Sequence, residues 1–184
     1  MPISRTLTRL DAARTLAGHL LADLPDRWRH TIGVAERAAE LAVTVPEDAR
    51  EVLLAAAWLH DIGYAPAVQD TGFHPLDGAR YLDERGWPVR IASLVAHHSG
   101  AEFVARALGL AEALAGYPDE RSAVTDALSY ADQTTGPRGQ RVPIRERLAE
   151  TLARHGPDSV QSTVEHVRVP YLLAAAARVE GRLH

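Results

Sequence analysis

With 184 residues, 46% of them hydrophobic and 24% charged, the chain has the balance of a globular protein and the length of one domain. A net charge of −4, carried by interspersed acids and by arginines with no lysine, offers no basic stripe for a nucleic acid polymer. The absence of cysteine excludes disulfides, thiolate zinc sites and cysteine nucleophiles.

The pattern of apolar residues predicts helices throughout. Thr6 to Leu24 is amphipathic, with Leu7, Leu10, Ala13, Leu16, Ala17, Leu20 and Leu21 on one side. Asp26 is the expected N-cap of a second helix to about Val45, whose inner stripe is His30, Val34, Ala38 and Leu41. Pro46-Glu47-Asp48 starts a third helix, which carries Val52 to His60 and stops at Gly63. His74-Pro75 opens a fourth through Arg85, and Pro88 opens a fifth from Val89 to His98. Further helices are expected over Ala101–Leu114, Ser122–Gln133, Ile144–His155 and Ser159–Leu183. In the last, Val164, Val167, Tyr171, Leu172, Ala175 and Val179 form the packing face, and Pro170 should kink or split it. No alternating strand pattern exceeds a few residues, so the expected fold is all-α: one helical domain over 1–184 with N- and C-terminal helices on a core of about 26–141. The first eleven residues lack the apolar run of a secretory signal, and no 18-residue window is free of charge, so a cytoplasmic location is expected.

The chemistry concentrates where polar residues stand on apolar stripes. Leu53, Ala56 and His60 recur at helical spacing, as do Leu54, Ala57 and Asp61. A carboxylate buried without a partner is costly, and a cation facing both side chains would resolve the conflict, since imidazole nitrogen and carboxylate oxygen are ordinary metal donors. His30, His74, the pair His97-His98, and Asp132 (four residues after Leu128, eight after Val124) are further candidates. Taken singly, each has a structural alternative: a buried histidine with a backbone partner, a helix cap, or a frayed helix end. Converging across a helical bundle, they would hold one or two divalent ions.

The ordered set His30, His60-Asp61, Asp132 resembles the signature of the HD-domain metal-dependent phosphohydrolases, over about residues 26 to 141. His74 and His98, between the doublet and the last Asp, resemble the additional ligands of two-metal members; His97 is an alternative to His98. The layout, with Arg29-His30-Thr31-Ile32-Gly33-Val34-Ala35 and Tyr130-Ala131-Asp132, is similar to that of bacterial hydrolases that split diadenosine tetraphosphate symmetrically. The resemblance implies a metal-activated water attacking a phosphoester or phosphoanhydride of a small nucleotide, with Asp61 as the bridging carboxylate.

Three departures qualify it. Tyr64 follows Gly63 where many HD hydrolases soon carry Lys, so the phosphate grip falls to Arg, and Arg138 and Arg141 are the expected residues. The loop Thr134 to Gly139 differs from that of the tetraphosphate hydrolases, and His97-His98 lacks the closely following Gly-Tyr-Pro signature of cyclic-di-GMP phosphodiesterases, the chain's Gly116-Tyr117-Pro118 standing well beyond it. Mixed nitrogen and oxygen donors favour Mn, Fe, Co or Zn over Mg. Two alternatives stay open: a di-iron oxygenase on the same ligands, and a non-catalytic metal-binding module.

Overall fold

A computed structural model describes residues 8–184, so Thr6 and Leu7 of the first expected helix lie outside the described residues. The helices in chain order are α1 (Arg9–Leu20), α2 (Pro25–Leu41), α3 (Arg50–Leu59), α4 (His74–Glu84), α5 (Val89–His97), α6 (Ala101–Ala107), α7 (Ala111–Leu114), α8 (Ala123–Gln133), α9 (Ile144–His155), α10 (Val160–Thr163) and α11 (Glu165–Arg182). Among the described residues the only β element is an isolated bridge between Thr135 and Arg141. The fold is an all-α helical bundle.

Helix α3 is the axis of this arrangement: α1, α2, α5 and α8 all pack against it. Its run Ala55-Ala56-Ala57 is buried on every side, and side chains this small let four neighbours approach one short helix. Ala13 and Ala17 of α1 meet Ala55 and Leu59 in one core cluster. Val34, Ala38 and Leu41 of α2 join Leu53, Ala56, Ala57 and Leu128 in a second. Farther out, α4 pairs with α5, and α11 lies on α8.

Several boundaries differ from expectation for local reasons. The α1 N-cap is Thr8, whose side chain accepts from the Asp11 amide in a reciprocal capping box. Pro25 takes the first position of α2 after Leu24, so Asp26 stands inside the first turn and is not the cap. Helix α2 ends at Leu41 in a 3₁₀ turn over Ala42–Thr44, short of Val45. Helix α3 ends at Leu59, and a 3₁₀ turn over Ile62–Tyr64 follows His60 and Asp61. The stretch expected as one helix to Leu114 divides at Gly109, whose φ of +74° lies in the left-handed region. In the C-terminal segment the break falls at Val164, where α10 gives way to α11, and α11 continues through Pro170. Pro170 sits close to the α11 start, where the carbonyl it deprives belongs to exposed His166. Val167, expected in the packing face, is 40% exposed.

Candidate metal centre

His30, on α2, and Asp132, on α8, face each other beneath the end of α3 at 3.0 Å between Nε2 and Oδ1. His60 and Asp61 follow α3 directly, with Asp61 Oδ2 lying 3.2 Å from His60 Nε2 and 3.6 Å from His30 Nε2. The other oxygen, Oδ1, lies 3.4 Å from Nε2 of His74, the first residue of α4. His74 Nε2 is in turn 3.3 Å from Nε2 of His98, just past α5. All but the partly exposed His74 are buried. Two compact triads result, His30–His60–Asp132 and Asp61–His74–His98, with the two oxygens of Asp61 facing one each.

Backbone contacts orient the rings. His30 donates Nδ1–H to Gly136 O, His60 to Ala57 O and His98 to Val95 O, at 3.1, 2.8 and 2.6 Å. Fixing Nδ1 as the donor leaves each neutral ring with an Nε2 lone pair aimed inward, the orientation of a metal-ligating histidine. These lone pairs then confront carboxylate oxygens and one another, and buried His60 Nε2 has no hydrogen-bond partner. A cation among the six groups relieves that conflict, so the donor set fits a divalent transition ion.

The charges support this at the carboxylates, His74 and His98, while at His60 a proton competes with an ion for Nε2. Despite burial, Arg27 and His60 hold the Asp61 carboxyl well below the usual carboxylate range, and His30 does the same for Asp132. Burial and the positive groups around them lower His74 and His98, keeping their rings neutral, while Asp61 outweighs burial and raises His60.

The approach of α4 depends on Gly63. A Cβ there would lie 1.9 Å from the His74 carbonyl oxygen, so only glycine lets the turn after the doublet touch the start of α4. At the other end of the site, Ser99 has a left-handed φ of +53°. Its amide donates to Ser129 Oγ at 2.9 Å, its hydroxyl donates to Asp132 Oδ2, and Gln133 Nε2 donates to the same oxygen at 2.8 Å.

The structure thus brings together His30, His60, Asp61, His74, His98 and Asp132. It does not bring in three other expected residues. His97 turns away and donates from Nε2 to Tyr117 O at 2.8 Å. Arg138 is exposed outside the cavity at the centre. Arg141 reaches Glu40 at 2.5 Å and Gly33 O at 3.1 Å, tying the loop to α2 instead.

The arginines that do line this cavity, of about 380 Å³, are Arg27, Arg147, Arg154 and Arg168. Arg27 Nη1 donates to Asp61 Oδ2 at 2.7 Å, and its guanidinium lies 4.0 Å from the Tyr64 ring centroid. Tyr64 also stacks on His74 at 4.0 Å. The position after Gly63, where many HD hydrolases soon carry Lys, therefore supports His74 and an arginine from α2. One turn before His30 on the same helix, Arg27 could have been found by spacing alone. The arginines of α9 and α11 carry no such signal.

The profile of the HD domain family matches residues 27–174. This chain belongs to the HD domain family, a group that includes metal-dependent phosphohydrolases. The matched range begins at Arg27 and runs past the expected core into α11. No curated protein and no solved structure gives a significant match. Among the described residues no helix is long and apolar enough to cross a membrane.

Proposed function

We propose that this chain hydrolyses a phosphoester or phosphoanhydride bond in a small phosphorylated compound, a nucleotide being the first candidate. The observation that carries the reading is the pair of adjoining triads with one Asp61 oxygen facing each, beside a cavity rich in arginine. His30, His60 and Asp132 would hold one ion and His74 with His98 a second, Asp61 bridging them. A divalent ion bound there supplies a water of lowered pKa and polarises the phosphoryl oxygen. The chain's own contribution is to fix the donors. Three backbone carbonyls lock imidazole rings, and Ser99 and Gln133 orient Asp132. Arg27 neutralises Asp61 and stands at the cavity, within reach of an incoming phosphate.

The test is phosphate or nucleotide release from a panel that includes diadenosine tetraphosphate, using chain loaded in turn with Mn, Fe, Co and Zn. Turnover by the native chain and none by His60→Ala would support the hydrolase. Metal retention without turnover of any phosphate compound, joined to oxygen uptake by the iron form, would replace it with the oxygenase.

A further inference from the structure

Three of the cavity arginines have little to neutralise them. The Arg147 side chain is only 6% exposed; its Nη1 reaches Glu150 at 3.3 Å, and its buried Nε has no partner. Arg168 donates Nε–H to the Ser99 carbonyl at 2.9 Å and makes no ion pair with a carboxylate of the described residues. Arg154, exposed at the mouth of the cavity, makes no hydrogen bond or ion pair to any described residue. The one carboxylate bound to this group, Glu150, is about half exposed, whereas the fourth cavity arginine, Arg27, is already committed to Asp61.

Burial and the like charge of Arg147 lower both Arg154 and Arg168 from the usual arginine range. Guanidiniums remain charged in proteins even so. The buried Arg147, with a desolvated and unsatisfied N–H, and Arg168, with no ion-pair partner, are costly at one cavity edge unless an anion joins them, and the solvent-facing Arg154 adds a third positive group beside them. A phosphate suits the vacancy in charge, because the planar guanidinium fork matches two phosphate oxygens at once.

We infer that Arg147, Arg154 and Arg168 form a second anion subsite, which holds a phosphate of the substrate other than the one attacked at the two triads. The inference rests on reading the triads as the metal centre, and it narrows the substrate to compounds with at least two phosphate groups. A simple phosphomonoester would leave the arginine group empty. Helices α9 and α11 therefore set specificity, whereas α2, α4, α8 and the turns that follow α3 and α5 carry the ligands.

Calorimetric titration of inorganic pyrophosphate and of orthophosphate into the full chain, loaded with Mn²⁺ and desalted, tests the assignment. Metal content is measured before and after each titration. Arg154→Gln should weaken pyrophosphate about tenfold, or about 1.4 kcal/mol, and orthophosphate less than about threefold, with metal content unchanged. Arg147→Gln should do the same. Because Arg147 is buried and its variant is more exposed to misfolding, Arg154→Gln alone decides if the former does not fold. Arg85→Gln, which removes a surface charge beside Glu84 and Tyr81, should change neither anion.

Native pyrophosphate affinity in Arg154→Gln would overturn the subsite. Equal losses for both anions would overturn the two-phosphate reading, since the arginines would then grip a single phosphate. A chain that retains no Mn²⁺ instead refutes the metal centre. That failure is read from the metal content and not from the arginine variants.

Discussion

Replacing Gly63 by alanine should damage stability and metal binding together. The new Cβ would sit 1.9 Å from the His74 carbonyl oxygen and 2.8 Å from His74 Cα. Ordinary contact begins at 3.4 Å, so the turn after the doublet and the start of α4 must separate by about 1.5 Å. The obstacle is backbone, which cannot swing aside as a side-chain tip would. Overpacking of this kind costs about 1–3 kcal/mol, and a backbone collision belongs at the upper end. For a chain of this length that corresponds to a fall in Tm of about 6–12 °C. Metal bonds tolerate only about 0.2 Å, so a shift spread across His74 breaks the Asp61–His74–His98 triad first. Scanning calorimetry and elemental analysis of Gly63→Ala should therefore show a lower Tm and fewer ions per chain, with the loss confined to one ion where two are bound. A Tm within about 1 °C of native, with unchanged metal content, would refute the packing argument.

Other consequences are as direct. Arg27→Gln leaves the Asp61 carboxylate buried without its cation, a loss of about 3–5 kcal/mol when nothing else neutralises it; bound ions would take over that role, so thermal melts should show a much larger loss in chelated than in metal-loaded protein. Equal losses in the two forms would mean that Asp61 does not face a metal. His98→Ala should lower metal content and His97→Ala should not, because Nε2 of His97 is held by Tyr117 outside the site; elemental analysis of both variants separates them. In metal-free protein, His74 and His98 stay neutral when folded but take up protons near pH 6.5 when unfolded. The unfolded state therefore binds more protons as pH falls below that value, and through these two groups stability declines towards their lowered folded pKa values. His60, raised in the fold, works the other way. Urea denaturation between pH 7.5 and 5.5 should show the net decline, and His74→Gln with His98→Gln should flatten it.

His30, His60, Asp61 and Asp132 were legible because each breaks an apolar pattern, whereas His74 and His98 were named from the family resemblance. His60 continues the stripe of Leu53 and Ala56, and Asp132 that of Val124 and Leu128, so burial of a polar group could be read from spacing. The choice between His97 and His98 was not legible. Adjacent helical positions point about 100° apart, and here α5 ends between them. His98 has extended backbone and Ser99 is left-handed, and that local geometry sends one ring to the centre and the other to Tyr117. Arg138 and Arg141 lie away from the centre for a different reason. Arg138 and Arg141 follow Asp132 closely in sequence, but the loop folds back towards α2, where Gly33 meets Gly139 and Arg141 finds Glu40. Arginines 147, 154 and 168 reach the cavity only because α9, α10 and α11 return across the bundle, a long-range outcome with no local signature. The break at Gly109 was within reach, since a glycine inside a helical pattern lowers the case for continuity.

The claim that everything else depends on is that the six side chains hold metal. Elemental analysis of the full chain, purified without chelator, loaded with Mn, Fe, Co or Zn and desalted, tests it against His60→Ala and Asp132→Ala measured in parallel. One to two ions per native chain, and a marked loss in both variants with the helical circular dichroism signal retained, is the expected result. A native chain that retains no transition ion after loading, or variants that retain as much as the native chain, would contradict it.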